Sequence, residues 1–195
     1  MKICAFDPCE NIRRPKSRLC STHKSQRDRG KELTAIPPKL TDAERFWSYV
    51  DKSGDCWNWV GLIRTDGYGQ ITVGGRKGKQ WLSHRFSYAM AHGSVDDGQI
   101  IDHRCINRAC VNPAHLRPAS NKQNMENRAG ANKNSKSGVL GVCQAPKSEK
   151  WIAQITHHRQ AMHLGRFDTI AEAEAAVTAK RLELFTYNEL DRASA

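Results

Sequence analysis

The spacing of cysteine and histidine constrains this 195-residue chain more than any other feature. Cys4, Cys9, Cys20 and His23 follow the pattern C-x4-C, ten residues, then C-x2-H. Zinc takes four soft or borderline ligands in a tetrahedron, and two close pairs joined by a loop supply them. The segment around them is too poor in apolar residues to fold alone, so a metal would stand in for a core. A second set, Cys105, Cys110 and His115, is spaced C-x4-C-x4-H, with Cys56 expected as its fourth ligand. Cys56 lies beside Trp57 and Trp59, so an ordinary core thiol is the competing reading. Cys143 is left over, in an expected strand, as a plain small residue. About two structural zinc ions per chain are therefore expected, with the thiols reading as metal ligands rather than disulfides.

Lys and Arg number 31 against 20 Asp and Glu, a formal net charge of +11. Such an excess points to a polyanion partner, most often nucleic acid, against the alternative of a merely soluble basic protein. Only 38% of residues are hydrophobic, which favours small modules over one generous core. No apolar run is long enough to span a membrane. The opening MKICAFDPCENIRR lacks an apolar signal-peptide core, so a cytoplasmic location is expected.

The expected fold class is α+β, in modules: an N-terminal zinc-binding segment (1–36), a central domain (41–130), a polar linker (131–137) and a C-terminal domain (138–188). The first boundary is the stiff Ile36-Pro37-Pro38-Lys39; the second is the Gly-flanked, polar stretch 130–138. Lys24, Arg27, Arg29 and Lys31 read as a basic phosphate-contacting helix or tail, or else as a solvated face. Thr41 with Glu44 opens a helix to about Val50. Cys56–Val60 and Gly69–Val73 read as a hairpin around Asp66-Gly67, and Gly74-Gly75 with Gly78 as another turn. Ser83–Ala91 reads as a helix stopped by Gly93, and Gln99–His103 as a short strand. Ser120 with Gln123 caps a helix carrying Asn124 and Arg128. Strands are expected at Val139–Gln144, Trp151–His157 and Ala161–Phe167, then an Ala-rich helix from the Thr169/Glu172 cap to about Phe185. Ala173, Ala176 and Val177 would let that helix lie close on the sheet.

Ile100-Ile101-Asp102-His103 ends a strand in an Asp-His pair, and Asn124 sits 21 residues beyond His103 on the following helix. Phosphodiester hydrolysis needs a base for water, a cation for the developing charge and a hold on the phosphate. His103 can be the base, while Asp102 and Asn124 offer hard oxygen ligands to one Mg²⁺. This set and the second zinc set lie before the linker, so the chemistry is expected to be complete without residues 131–195.

The stretch DHRCINRACVNPAHLRPASNKQNMENR, with CWNWVGLIRTDGYGQITVGG and LSHRFSYAMAHG before it, resembles the HNH endonucleases. It is closest to the zinc-containing phage subgroup and similar to the His-Cys box homing endonucleases. The resemblance implies a ββα-metal finger over about residues 54–128. By it, His103 is the general base, Asp102 and Asn124 hold Mg²⁺ and Asn112 braces the loop. Arg85 contacts the phosphate near the scissile bond, with neighbouring His84 a second candidate. The products would be a 5′-phosphate and a 3′-hydroxyl. The N-terminal CAFDPC…LCSTHKSQRDRG resembles a Cys3His segment found before such domains. SGVLGVCQ, KWIAQI and LGRFDTIAEAEAA resemble the ethylene-response-factor (AP2-like) DNA-binding domain, whose sheet enters the major groove. By position that implies DNA contacts from Gln144, Lys150, Trp151, Gln154, Thr156 and Arg159, beside Lys24, Arg27, Arg29 and Arg128 elsewhere; Cys143 stands where that family usually has a DNA-touching Arg. Residues 131–168 hold six basic and two acidic side chains, and 169–195 three and five, so the sheet rather than the last helix would face DNA. The whole reads as a Mg²⁺-dependent endonuclease acting on double-stranded DNA, of a site-preferring nicking or homing type, in a phage-infected host. The rival is a non-cleaving, zinc-dependent DNA-binding regulator. Target site and oligomeric state stay open at this level.

Overall fold

A computed structural model describes residues 3–5, 9, 11, 18–36, 40–128 and 130–193. The Pro37-Pro38-Lys39 part of the first boundary lies outside them. The chain divides into two compact units, Met1–Thr41 and Asp42–Ala195. Both mix helix with small sheet or loop, and no helix among the described residues is long and apolar enough to cross a membrane.

In the first unit, Cys20 leads into α1 (Ser21–Asp28), and Cys4, Leu19 and Cys20 form a small core with Cys9, Leu33 and Ile36 against it. Backbone bonds from Cys4 to Asn11 and from Ala5 to Arg18 close the loop that carries the ligands.

The second unit opens with α2 (Asp42–Trp47). It stops short of the expected Val50 because Val50 enters β1 (Val50–Asp51), paired antiparallel with β2 (Asn58–Trp59). The expected hairpin of Cys56–Val60 with Gly69–Val73 does not form. Instead β3 (Gln70–Val73) pairs with β4 (Lys79–Leu82). Gly74 and Gly75, at φ 93° and 78°, supply the left-handed conformations of that reversal, so the glycines marked a hairpin turn rather than a separate one. β4 runs straight into α3 (Ser83–His92), ended at Gly93. The core beneath is aromatic: Phe46, Trp59, Ile71 and Val111 are buried, with Trp57, Trp81 and Phe86 packed against them. Phe46 stacks on Trp59 at 5.0 Å and meets Phe86 edge-on at 5.3 Å.

β5 (Ile100–His103) pairs antiparallel with β6 (Leu116–Ala119), and α4 (Asn121–Glu126) follows. β6 was not expected, because Leu-Arg-Pro-Ala contains a proline. A two-stranded sheet has only edges, so Pro118 can turn its missing N–H outward. The Ser120/Gln123 capping box forms as the spacing implies, but the helix ends at Glu126, leaving Arg128 beyond it.

The C-terminal part is a three-stranded sheet in the order β7 (Val142–Gln144), β8 (Trp151–His157), β9 (Gln160–Phe167). α5 (Ile170–Leu184), opened by the Thr169/Glu172 capping box, packs Ala173 and Val177 on Val142 and Ala153. A short α6 (Glu189–Ala193), not expected from the sequence, comes back to β6 and the end of α4.

Gly141 shows why the helix can sit so close. Its φ is +88°, and a β-carbon there would lie 2.7 Å from the Gln154 carbonyl oxygen and 2.9 Å from Val177 Cγ1. Gly141→Ala should therefore lower the stability of this part by about 1–3 kcal/mol, through both backbone strain and overlap. Urea unfolding of the full chain checks this; a loss confined to a few tenths would remove the argument.

Candidate active site and metal centres

The second ligand set is assembled by a backbone bridge. Asn58 of β2 pairs with Cys110, as the Trp59 N–H meets the Ala109 carbonyl and the Val111 N–H meets the Trp57 carbonyl. That pairing brings Cys56 to a loop some fifty residues later. His115 Nδ1 lies 3.7 Å from Cys56 Sγ and 3.6 Å from Cys110 Sγ, and all four ligand atoms, including Cys105 Sγ, fall within 4.8 Å of one another. Tetrahedral zinc with bonds of about 2.3 Å to sulfur and 2.0–2.1 Å to nitrogen places N and S about 3.6 Å apart. The set fits. The Cys110 thiol shares its proton with Cys105, pulling the Cys105 thiol down to about 5 and pushing Cys110 up. Such a shared proton is what a metal displaces. Asn112 caps the following turn: its Oδ1 accepts the Ala114 N–H and its Nδ2 donates to the Asp55 carbonyl, so it braces the ligand loop.

The first set is equally compact. His23 Nδ1 lies 3.3 Å from Cys4 Sγ and 3.4 Å from Cys20 Sγ, and Cys9 Sγ is 4.0 Å from Cys20 Sγ. His23 Nε2 donates to the Thr34 carbonyl at 2.9 Å, which leaves Nδ1 to the ligand cluster. All seven cysteines are free thiols. Lys24 and Arg27 lie on α1, with Arg29 at its cap; Arg27 is paired with Asp28.

The Asp102-His103 pair ends β5, buried at 6% and 5% exposure. His103 Nε2 lies 3.0 Å from the Cys110 carbonyl oxygen. A carbonyl only accepts, so Nε2 carries the proton and Nδ1 keeps the lone pair of a base. Burial holds the His103 imidazole below its ordinary pKa, hence neutral near pH 7. The ring of His84 sits 4.6 Å away, and Tyr68 contacts both. His84 is 3% exposed, its Nδ1 has no hydrogen-bond partner, and burial with the neighbouring His103 and Arg85 pushes it down to about 3. Arg85 is turned elsewhere, with its guanidinium on the carbonyls of Gln99 and Asp96. Of the two phosphate-contact candidates, the structure brings His84 rather than Arg85 to His103.

Asp102 accepts from Asn127 Nδ2 at 2.9 and 3.2 Å and from Arg117 Nε at 3.1 Å. Asn127 also donates to the His103 carbonyl. Asn124 is exposed on α4, and among the described residues no hydrogen bond joins it to Asp102. Asn127, about one turn further on at the C-cap of α4, was missed, and nothing in the sequence singled it out. Arg117 was missed too, because β6 was read as loop. Behind these residues stand Thr186, Tyr187 and Glu189 from the C-terminal segment. The residues of the expected catalytic set all lie before residue 131, while Arg117 and Asn127, the partners of Asp102, are themselves bonded to Glu189 beyond α5.

On the C-terminal sheet, strand register sorts the proposed DNA contacts. Gln154 and Thr156 are exposed on the face away from α5, whereas Gln144, exposed at the end of β7, pairs with Trp151 and so lies on the other side. Lys150 precedes β8 and pairs with Asp168. Trp151 packs against the core under α5, so it faces the wrong side for that role. Arg159 sits in the β8–β9 turn with His158, both at positive φ. His163 opposite Gln154, and Arg166 opposite Ile152, share the exposed face and were missed; strict alternation would place them on opposite faces, and the register shift at Ala153/Gln154 brings them to one.

Residues 82–126 match a family described as HNH endonuclease. No curated protein and no solved structure matches the chain. The matched stretch runs from the end of β4 through α4 and contains Asp102, His103, Asn112 and three of the four second-set ligands. It supports an HNH endonuclease domain in this stretch, which points to DNA nuclease activity.

The freshly purified, chelator-free protein should carry close to two zinc ions per chain, and Cys110→Ser should lose one of them with much of the second unit's fold. Metal analysis with a thermal melt checks both; no zinc in the wild type would contradict the ligand assignment.

Proposed function

We propose that the protein is a Mg²⁺-dependent endonuclease that cuts a strand of double-stranded DNA at the Asp102-His103 site. The observation that carries this is the His103 tautomer: a buried, neutral imidazole whose Nε2–H is spent on the Cys110 carbonyl and whose Nδ1 is left as acceptor. His103 Nδ1 takes a proton from water as the oxygen attacks phosphorus, and the 3′ oxygen leaves, giving a 5′-phosphate and a 3′-hydroxyl. His84, beside His103, would meet a phosphate oxygen as a donor, through Nδ1–H of its neutral tautomer. Asp102, with Asn124 on the exposed side of α4, would hold the Mg²⁺. A carboxylate and an amide offer the oxygen ligands that a hard cation takes, and Arg117 and Asn127 would have to yield at Asp102 for one to bind. When bound, that ion supplies positive charge for the phosphorane oxygens and the leaving group. Zinc at the two thiolate sets is structural.

Duplex grip is assigned to the exposed face of β7–β9, through Gln154, Thr156, His163 and Arg166, and to the basic Lys24, Arg27 and Arg29 of the first unit. Arg128 and Arg159 are further candidates. The likeness to ethylene-response-factor domains, the phage setting and a cytoplasmic location belong to this same proposal. The regulator reading explains the zinc sets and the charge but gives no role to a buried His with its base nitrogen free.

His103→Ala should fold, keep its zinc and bind DNA, and should lose about two to four orders of magnitude in plasmid nicking with Mg²⁺. Nicking near the wild-type rate would remove the mechanism, and a wild-type protein that binds DNA without cutting it would favour the regulator. Arg166→Ala should weaken DNA binding and reduce the slope of log affinity against log salt by about 0.9, the effect of one lost phosphate contact. A filter-binding salt series reads this, and an unchanged slope would take Arg166 off the interface.

A further inference from the structure

Tyr68 and Arg108 stand beside the histidine pair, and neither has a part in the mechanism above. The Tyr68 ring lies 5.2 Å from that of His84 and 5.9 Å from that of His103, and among the described residues its hydroxyl makes no hydrogen bond. The Arg108 guanidinium lies over the same ring, 5.5 Å from its centroid, within the range of a cation–π contact. Burial, and then the Arg108 charge, hold the His103 imidazole below its ordinary pKa, so the guanidinium is within electrostatic reach of that ring.

The backbone fixes where Arg108 stands. It occupies the turn between Cys105 and Cys110 of the second ligand set. The Asn107 carbonyl accepts the Cys110 N–H at 3.1 Å, and Asn107 Oδ1 accepts the Ala109 N–H at 3.1 Å. Asn107 Nδ2 donates to Asn58 Oδ1 at 2.7 Å, tying the turn to β2. Out on the side chain, Nη1 donates to the Asp66 carbonyl at 2.8 Å. The Asp66 carboxylate is taken by Arg64 at 3.0 Å and leaves the Arg108 charge without a counter-ion.

The other arginines nearby are committed. Arg117 is shared between Asp102 and Glu189, Arg104 faces Glu189 at 3.8 Å, and Arg85 lies on the carbonyls of Gln99 and Asp96. Arg108 is exposed, meets no carboxylate among the described residues, and keeps Nε and Nη2 without a partner. The planar fork of a guanidinium matches two oxygens of a phosphate, and its charge does not depend on pH.

We propose that Arg108, carried by the turn between two cysteines of the ligand set and laid over Tyr68, holds the reacting DNA phosphate beside His103. This rests on the nuclease reading above. The competing role is a tie between the 64–67 turn and the ligand loop through the Asp66 carbonyl alone, which would affect stability and leave phosphate contacts unchanged.

The test uses full-length, zinc-loaded wild type, Arg108→Gln and Arg108→Lys. Binding to a linear duplex fragment of the plasmid is followed over a salt series without Mg²⁺, and plasmid nicking with Mg²⁺ is followed as kcat and KM. Arg108→Gln should reduce the slope of log affinity against log salt by about 0.9, the effect of one phosphate contact. It should also lower kcat about a hundredfold, as removal of one donor aimed at developing charge does. Arg108→Lys should keep the slope, since the charge remains, and recover only part of kcat, since an ammonium lacks the fork. An unchanged slope in Arg108→Gln overturns the proposal whatever happens to kcat, because a tie between loops would explain that loss. A reduced slope with unchanged kcat overturns it too, by placing the contact on a phosphate away from the reaction. Should Arg108→Gln lose its zinc or its melt, Arg108→Lys decides: a kcat about tenfold below wild type with the slope kept, the loss of one charge-assisted hydrogen bond, supports the proposal, and a wild-type kcat overturns it. A wild type that binds DNA but cuts none defeats the nuclease reading alone, and the salt slope then decides on Arg108 as a phosphate ligand.

Discussion

Cys110 ties together the parts of the second unit that have to agree. Its Sγ belongs to the ligand set with Cys56, Cys105 and His115, and its backbone pairs with Asn58. Its carbonyl takes the proton of His103 Nε2. The geometry of the ligand set, the pairing of a two-residue strand and the tautomer of His103 thus meet in one residue. Loss of the ligand set would free the loop, and with it the acceptor that leaves His103 Nδ1 as a lone pair. A small domain with few aliphatic residues gains rigidity from such a site where a larger core would otherwise supply it.

The same economy governs Asp102. A carboxylate buried to 6% exposure needs donors, and it has them in Arg117 and Asn127. Each donor has a second partner in Glu189, so the geometry at the carboxylate is set by a network rather than by one pair. Networks of this kind hold orientation better than isolated surface pairs, because each side chain is already restricted by another bond. They also carry orientation from one part of the fold to another, here from α6 through β6 to the end of β5.

The C-terminal sheet follows from simpler rules. Ala153, Ala173 and Val177 are small, and Gly141 has no side chain, so α5 lies close over β8. That leaves the far face with polar and basic side chains in register, Gln154 beside His163 and Arg166 across from Ile152. Side chains alternate on a strand, and Trp151, aromatic and basic-flanked, falls on the buried side.

Much of this was legible in the residues themselves. Both Cys/His ligand sets, the Ser120 and Thr169 caps, the Gly93 stop and the Asp102-His103 strand end follow from spacing and local chemistry, because their causes lie within a few residues or in the number of ligands an ion demands. Strand partners did not follow. β2 joins β1 and Cys110 rather than β3, and β6 forms around a proline, because pairing is decided by which edge is near, and edges come together only in three dimensions. The roles of Asn127, Arg117 and Glu189 were hidden for the same reason. Nothing in the spacing of 102, 117, 127 and 189 marks them as partners; a buried carboxylate selected the donors that the folded chain could bring to it, and only the tertiary structure decided which those were.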